Sequence, residues 1–109
     1  MTELLWTGPD DADATLLLAH GAGAPMDSPF MTLISDMLAM RGIRVARFEF
    51  AYMAARRKGG KRRPPPKAET LDGEMTVAAR AAAAGAAGKL AIGGKSMGGR
   101  VASHVAENL

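Results

Sequence analysis

The chain has 109 residues, 48% of them hydrophobic but only 5% aromatic, so it can form at most one domain with a mainly aliphatic core. It contains no cysteine and two histidines, which excludes disulfides and thiolate metal sites, and we expect neither a metal ion nor a cofactor. The formal net charge is +3. Because the chain lacks a leader-like N-terminus and any apolar run near the ~20 residues of a membrane span, we expect a cytoplasmic protein without membrane attachment.

The first predicted unit is a buried strand followed by a helix. Residues 15–19 form a continuous apolar run, typical of a strand covered on both faces of a parallel sheet. A flexible turn over residues 20–25 follows. Ser28 and Pro29 then provide a capping hydroxyl and a proline at the first helical position. Apolar residues at positions 30, 33, 34, 37 and 38 predict the buried face of this helix, and Gly42 predicts its end.

The second predicted unit contains a basic loop. Residues 43–50 predict a strand with a mixed polar and apolar pattern. Residues 56–67 form a proline-rich loop with 7 of the 14 basic residues and none of the 11 acidic ones, so the rest of the chain carries a net charge of −4. The loop contains no aromatic residue that could stack on bases, and we therefore expect no nucleic-acid partner.

The last predicted unit leads to a turn with a serine. Residues 68–87 contain four consecutive alanines, which favour a helix, and Gly88 is expected to end it. Residues 89–93 predict a strand and residues 98–108 a helix. Three successive strand–helix units predict an α/β fold with three α/β/α layers around a mostly parallel sheet.

The serine turn contains the pentapeptide Gly94-Lys95-Ser96-Met97-Gly98, which has the form G-x-S-x-G. Between a strand and a helix this pattern is typical of a nucleophile elbow, in which a sharp turn presents the serine hydroxyl. The sharp turn requires small residues two positions before and after the serine, and both are glycine. Ser96 is therefore a candidate nucleophile. The alternative is a glycine-rich turn with an inert serine.

Two other interpretations of this region are weaker. Lys95 and Ser96 resemble the end of a phosphate-binding loop, but Gly88 lies one residue too far upstream for that motif. His104 lies eight residues beyond Ser96 on the predicted helix, which corresponds to about 12 Å of axial rise. Because a general base must come within about 3 Å, we interpret His104 as a surface or packing residue.

Four motifs occur in a fixed order along the chain: LAHGAGA at 18–24, RFEFAYM at 47–53, KRRPP at 61–65 and GGKSMGGR at 93–100. Together they resemble a family of predicted α/β-hydrolase-fold hydrolases, mostly small bacterial proteins. Its eukaryotic relatives include a testis-expressed protein and a subunit of a chromatin-acetylating complex. The resemblance extends over residues 14–109.

The resemblance implies a serine hydrolase that acts on a small-molecule ester or related acyl substrate. Ser96 would be the nucleophile, and the backbone N–H groups of Met97 and Ala22 would stabilise the oxyanion. The supporting residues would be His20, in an orienting or structural role, and three glycines of the two turns, Gly21, Gly94 and Gly98. The basic loop 56–67 would form a rim near the site that selects anionic substrates, or a solvated loop with no partner.

The resemblance covers only the N-terminal half of such a hydrolase domain, because the acid and the histidine of the triad follow later strands in this fold. We therefore expect a partial α/β-hydrolase fold over residues 1–109, weak or absent activity, and self-association through the exposed edge of the third strand. The alternative function is a non-catalytic interaction module. It would use the loop 56–67, with Arg62 and Arg63, to bind anionic partners.

Overall fold

The protein is a four-stranded, mostly parallel sheet with helices on both faces. The computed structural model describes residues 3–61 and 63–107, so the predictions for Arg62 and for the end of the last helix at Asn108 lie outside the described residues. The elements run in the order β1 Leu5–Thr7, β2 Ala14–Ala19, α1 Pro29–Met40, β3 Arg44–Phe48, α2 Ala51–Arg57, α3 Ala68–Gly85, β4 Lys89–Gly94 and α4 Met97–Ala106.

The strand order in the sheet is β1-β3-β2-β4. β2 pairs in parallel with both β3 and β4, whereas β1 pairs antiparallel to β3. Within the described residues β4 is therefore an edge strand, and the carboxyl ends of β2, β3 and β4 lie at the same edge of the sheet. The predicted three-layer, mostly parallel α/β fold is confirmed.

The core has two parts, one on each face of the sheet. Leu17, Ala46 and Phe48 face α3 and α4, whose buried residues include Met75 and Val101. On the other face α1 covers a smaller cluster, formed by Leu18, Met31 and Val45. Helices on both sides explain why residues 16–19 of β2 are an uninterrupted apolar run, since each of these side chains packs in or against one of the two clusters.

The predicted buried face of α1 is wrong at three of its five positions. Phe30, Leu33 and Met37 are exposed, whereas the predicted residues Ile34 and Leu38 pack against the core. The helix also buries Met31 and Ser35, which were not predicted. The apolar pattern of the sequence did not indicate that Ser35 is buried, because its side chain is polar. Ser35 Oγ donates a hydrogen bond to the Met31 carbonyl at 2.7 Å, so the polar side chain can lie in the core without an unpaired donor. The N-terminus is as predicted, with Ser28 Oγ accepting from the Met31 N–H.

Two elements were not predicted. β1 has only three residues and no alternating pattern. Its Trp6 occupies the space beside Gly85, where an added Cβ would lie 2.8 Å from the indole, so a larger residue does not fit there. α3 ends at Gly85 and not at residue 87 as predicted. The second element is α2: the chain turns helical at Ala51, so the predicted strand over 43–50 ends at Phe48 and the basic loop begins only after Arg57.

Arg47 explains the mixed pattern of β3. Its side chain is buried, and its guanidinium donates to Thr7 Oγ1, Thr32 Oγ1 and the Met26 carbonyl at 3.1–3.3 Å. These three acceptors belong to β1, to α1 and to the loop before α1. A polar residue in the middle of the strand therefore fixes three neighbouring segments from inside.

The corrected face of α1 predicts opposite results for two apolar truncations on the same helix. Met31→Ala should lower the free energy of unfolding by about 2–5 kcal/mol, because it leaves a cavity under the sheet. Leu33→Ala, at a side chain that is 60% exposed, should change it by less than about 0.5 kcal/mol. Denaturant unfolding of both variants measures the difference. Equal losses would show that Leu33 is also packed.

Candidate functional site

The turn between β4 and α4 holds Ser96 in a conformation that few residues adopt. Ser96 has φ 53° and ψ −114°, and it is the one non-glycine residue with positive φ in the described part of the chain. Such a conformation costs about 1–3 kcal/mol and persists only where the surroundings enforce it. Although Ser96 occupies the N-cap position of α4, its hydroxyl makes no capping hydrogen bond, and the residue is exposed. The hydroxyl is thus presented to solvent at the carboxyl edge of the sheet.

Two glycines allow the turn to close. A Cβ on Gly94 would lie 2.5 Å from the backbone carbon of Gly98. A Cβ on Gly98 would overlap the carbonyl oxygen of His20 and lie 2.8 Å from that of Ala19. Because these neighbours are backbone atoms, they cannot rotate away. The first turn of α4 therefore packs directly on the end of β2.

The loop after β2 is anchored by His20, which is completely buried. Its Nδ1 lies 2.6 Å from the Gly21 carbonyl oxygen, and its Nε2 lies 3.2 Å from the Phe50 N–H, which donates to it. These contacts require the neutral tautomer with the proton on Nδ1. Burial lowers the pKa of His20 below 6.5, which keeps the ring neutral.

The His20 contact also orients the peptide group of Ala22. In a trans peptide the N–H points opposite to the carbonyl of the preceding residue. By holding the Gly21 carbonyl, His20 fixes the direction of the Ala22 N–H. In the described residues neither this N–H nor the Met97 N–H, at the start of α4, has a hydrogen-bond acceptor. Two backbone donors thus flank the turns that contain Ala22 and Ser96.

α2, which the sequence did not predict, supports the same loop. Tyr52 donates its hydroxyl to the Ala22 carbonyl at 3.1 Å, and its ring contacts the His20 ring edge-on with centroids 6.0 Å apart. Phe50 contacts the other side of His20, with centroids 5.3 Å apart. The motif over residues 47–53 was a signal for these contacts, but it did not reveal that Tyr52 would reach Ala22.

A group of charged residues holds the far end of the loop. Glu49 accepts from the Met26 N–H at 3.1 Å and pairs with Arg57 through both carboxylate oxygens. Arg57 also pairs with Asp27, and its guanidinium holds the pKa of that carboxyl below its usual value. Since Arg57 ends α2, one of the basic residues assigned to the loop 56–67 instead serves to fix the turn after β2.

Ser96 and Ala22 lie together at the junction of two cavities. The loop cavity, about 300 Å³, lies between the 21–24 loop and α1, and Lys95 lines it. The proline cavity, about 490 Å³, lies between the basic loop and α4, and its walls include Pro65, Pro66 and Met97. A substrate bound with its reacting atom between Ser96 and Ala22 could therefore extend to both sides.

The two histidines occupy different positions. His20 lies beneath the loop with both ring nitrogens engaged. His104 lines the proline cavity, but it is two turns along α4 from Ser96, and its Nδ1 lies 3.4 Å from Asp72 Oδ1. Neither is placed beside the Ser96 hydroxyl. In the parts of the chain that the structure describes, no group of three or more acidic or histidine side chains could hold a metal ion, and no helix is long and apolar enough to cross a membrane.

A family model described as an alpha/beta hydrolase domain matches residues 12–109, which is most of the chain and includes both turns of the site. No curated protein matches the chain.

The packing of Gly98 predicts that two glycine-to-alanine changes, both inside helices, have opposite signs. Gly98→Ala should destabilise the protein, because the added Cβ meets the backbone of β2 and the gain in helix propensity of about 1 kcal/mol is too small to compensate. Gly73→Ala in α3 has open space around the new methyl group and should stabilise by about 0.5–1 kcal/mol. Thermal unfolding of the two variants compares them. A stabilising Gly98→Ala would contradict the described close approach.

The contacts of His20 predict its tautomer and its effect on stability. Nitrogen-15 NMR of the imidazole should show a proton on Nδ1 and none on Nε2 at neutral pH. Since burial lowers the native pKa below 6.5, the unfolded chain takes up the proton first, and the stability contributed by neutral His20 should be lost as the pH falls below about 6.5. Finding the Nε2–H tautomer, or stability that rises on acidification through this range in wild type but not in His20→Gln, would contradict the assignment.

Proposed function

The chain belongs to the alpha/beta hydrolase domain family, and on that premise we propose that it forms the nucleophile-bearing part of a serine hydrolase acting on esters or related acyl substrates. Ser96 is the proposed nucleophile, and the Ala22 and Met97 N–H groups are the proposed oxyanion donors. The observation that carries the proposal is the strained, exposed Ser96 at the start of α4, together with two backbone N–H groups that have no acceptor in the described part of the chain. The four motifs support a place among the small bacterial predicted hydrolases of this fold.

The proposed reaction is acyl transfer through Ser96. The hydroxyl oxygen attacks the substrate carbonyl and loses its proton to water or to a base outside these residues, and negative charge develops on the carbonyl oxygen as the tetrahedral intermediate forms. Two fixed N–H donors stabilise this charge, and removing one such donor from a hydrolase typically costs about 10²–10³ in rate. The partial positive charge at the N-terminus of α4 acts in the same direction. Collapse of this intermediate breaks the ester C–O bond, the alcohol leaves with a proton, and water later releases the acyl group from Ser96 as the acid. His20 is a positioning residue in this scheme, because it orients the Ala22 N–H without contacting the substrate.

Neither histidine can act as the general base for Ser96. His20 uses both ring nitrogens in the core, and His104 lies about 12 Å along the helix axis from Ser96. Without a base the serine hydroxyl is a weak nucleophile. We therefore propose that these 109 residues by themselves react slowly. Full activity would require an acid and a histidine on polypeptide outside them.

A fluorophosphonate probe tests this proposal, because it reacts with activated serines and leaves a stable adduct. We expect slow, stoichiometric labelling of the wild-type chain that falls to the level of heat-unfolded protein in Ser96→Ala. Ser103→Ala is the matched control: Ser103 is exposed on the same helix, and its hydroxyl donates only to the Arg100 carbonyl. Labelling should be unchanged in this control. A folded wild-type chain that never labels, or an equal loss in both variants, would refute the role of Ser96.

A further inference from the structure

The proline cavity combines an apolar wall with a cationic end. Pro65, Pro66, Leu71 and Val101 line it. Leu71 and Val101 are buried core residues, so they form a floor that cannot move far, whereas the two prolines are exposed and form the opposite wall. A volume of about 490 Å³ lies in the range of small-molecule sites. The part of a ligand nearest these residues would be a hydrocarbon chain.

Arg100 gives the cavity a permanent positive charge. It lies one turn beyond Ser96 on the same face of α4, about 6 Å along the helix axis, and lines the cavity together with Ser96. Arg100 is exposed, and its side chain makes no hydrogen bond or ion pair with any residue that the structure describes. An arginine of this kind can bind a carboxylate through two parallel hydrogen bonds.

Asp72, the acidic residue on the adjoining face of α3, makes no ion pair with Arg100 among the described residues. Its Oδ1 lies 3.4 Å from Nδ1 of His104, which is one turn beyond Arg100 on α4. Arg80, by comparison, is equally exposed but belongs to a different cavity, between α3 and β4, that does not include Ser96. Of these two exposed arginines, only Arg100 shares a cavity with the proposed nucleophile.

We propose that the proline cavity is an acyl subsite for substrates whose acyl chain ends in a carboxylate, with Arg100 binding that carboxylate. The inference rests on the proposed function of Ser96. The chain lies between the prolines and the Leu71–Val101 floor, and the acidic end lies one to two helical turns from the reacting carbonyl. The substrate class is therefore a monoester, or related monoacyl derivative, of a linear dicarboxylic acid.

Two fluorophosphonates with the same six-carbon chain on phosphorus, one ending in a carboxylate and the other in a carboxamide, test the subsite. The wild-type chain should react with the carboxylate probe about fivefold faster, the effect expected for a partly exposed ion pair. Arg100→Gln should reduce the ratio of the two rates to about one. Arg80→Gln should leave the ratio unchanged. Raising the salt concentration should lower the ratio in wild type, because the interaction is electrostatic.

The outcomes separate this inference from the function on which it rests. A wild-type ratio near one, or a ratio that survives in Arg100→Gln, overturns the subsite while leaving Ser96 as the nucleophile. If neither probe labels Ser96, the proposed function fails, and NMR titration of the same chain with hexanedioate and its monoamide decides the subsite alone. Stronger binding of hexanedioate at the Val101 and Arg100 amides, lost in Arg100→Gln, supports it. Absence of binding, or equal binding of both compounds, overturns it.

Discussion

The close approach of the first turn of α4 to the end of β2 is the constraint on which the site depends. Gly98 lies against the carbonyl groups of Ala19 and His20, and the Lys95 N–H donates to the Ala19 carbonyl at 3.0 Å. These contacts place the turn after β4 beside the turn after β2. They also hold the Ser96 backbone at a positive φ that few non-glycine residues adopt. The strain is therefore enforced by packing and not by the serine itself. Ser96 and Ala22 become neighbours as a consequence.

The segment that follows β3 supports this junction. The Phe50 N–H donates to His20 Nε2, the Tyr52 hydroxyl donates to the Ala22 carbonyl, and the Glu49 carboxylate accepts from the Met26 N–H. Each buried hydrogen bond contributes only about 1 kcal/mol to stability. Together they fix the orientation of several peptide groups in the short loop after β2. The loop therefore holds the Ala22 N–H in a fixed direction, although this group has no acceptor among the described residues.

The sequence was sufficient for the features that follow from local chemistry. The apolar run of β2, the Ser28 cap and the spacing around Ser96 each have a direct physical cause, and they led to the correct layers and to the two turns. It was insufficient where a polar side chain is buried or where distant residues decide. The face of α1 depends on a hydrogen bond within the helix that makes Ser35 a core residue, and α2 begins where Phe50 N–H meets His20. The position of the basic loop beside Ser96 likewise depends on Pro65 and Pro66 meeting α4, which no local pattern in that loop specifies.

The most direct test of this account is a crystal structure of the chain after reaction with a fluorophosphonate. The account predicts phosphorus bonded to Ser96 Oγ, with the phosphoryl oxygen about 2.7–3.1 Å from the backbone nitrogens of both Ala22 and Met97. An adduct on Ser96 whose phosphoryl oxygen points to solvent, with neither nitrogen within hydrogen-bond distance, would contradict it. In that case the contact between the two turns would serve packing alone, and the Ala22 and Met97 N–H groups would not form an oxyanion site.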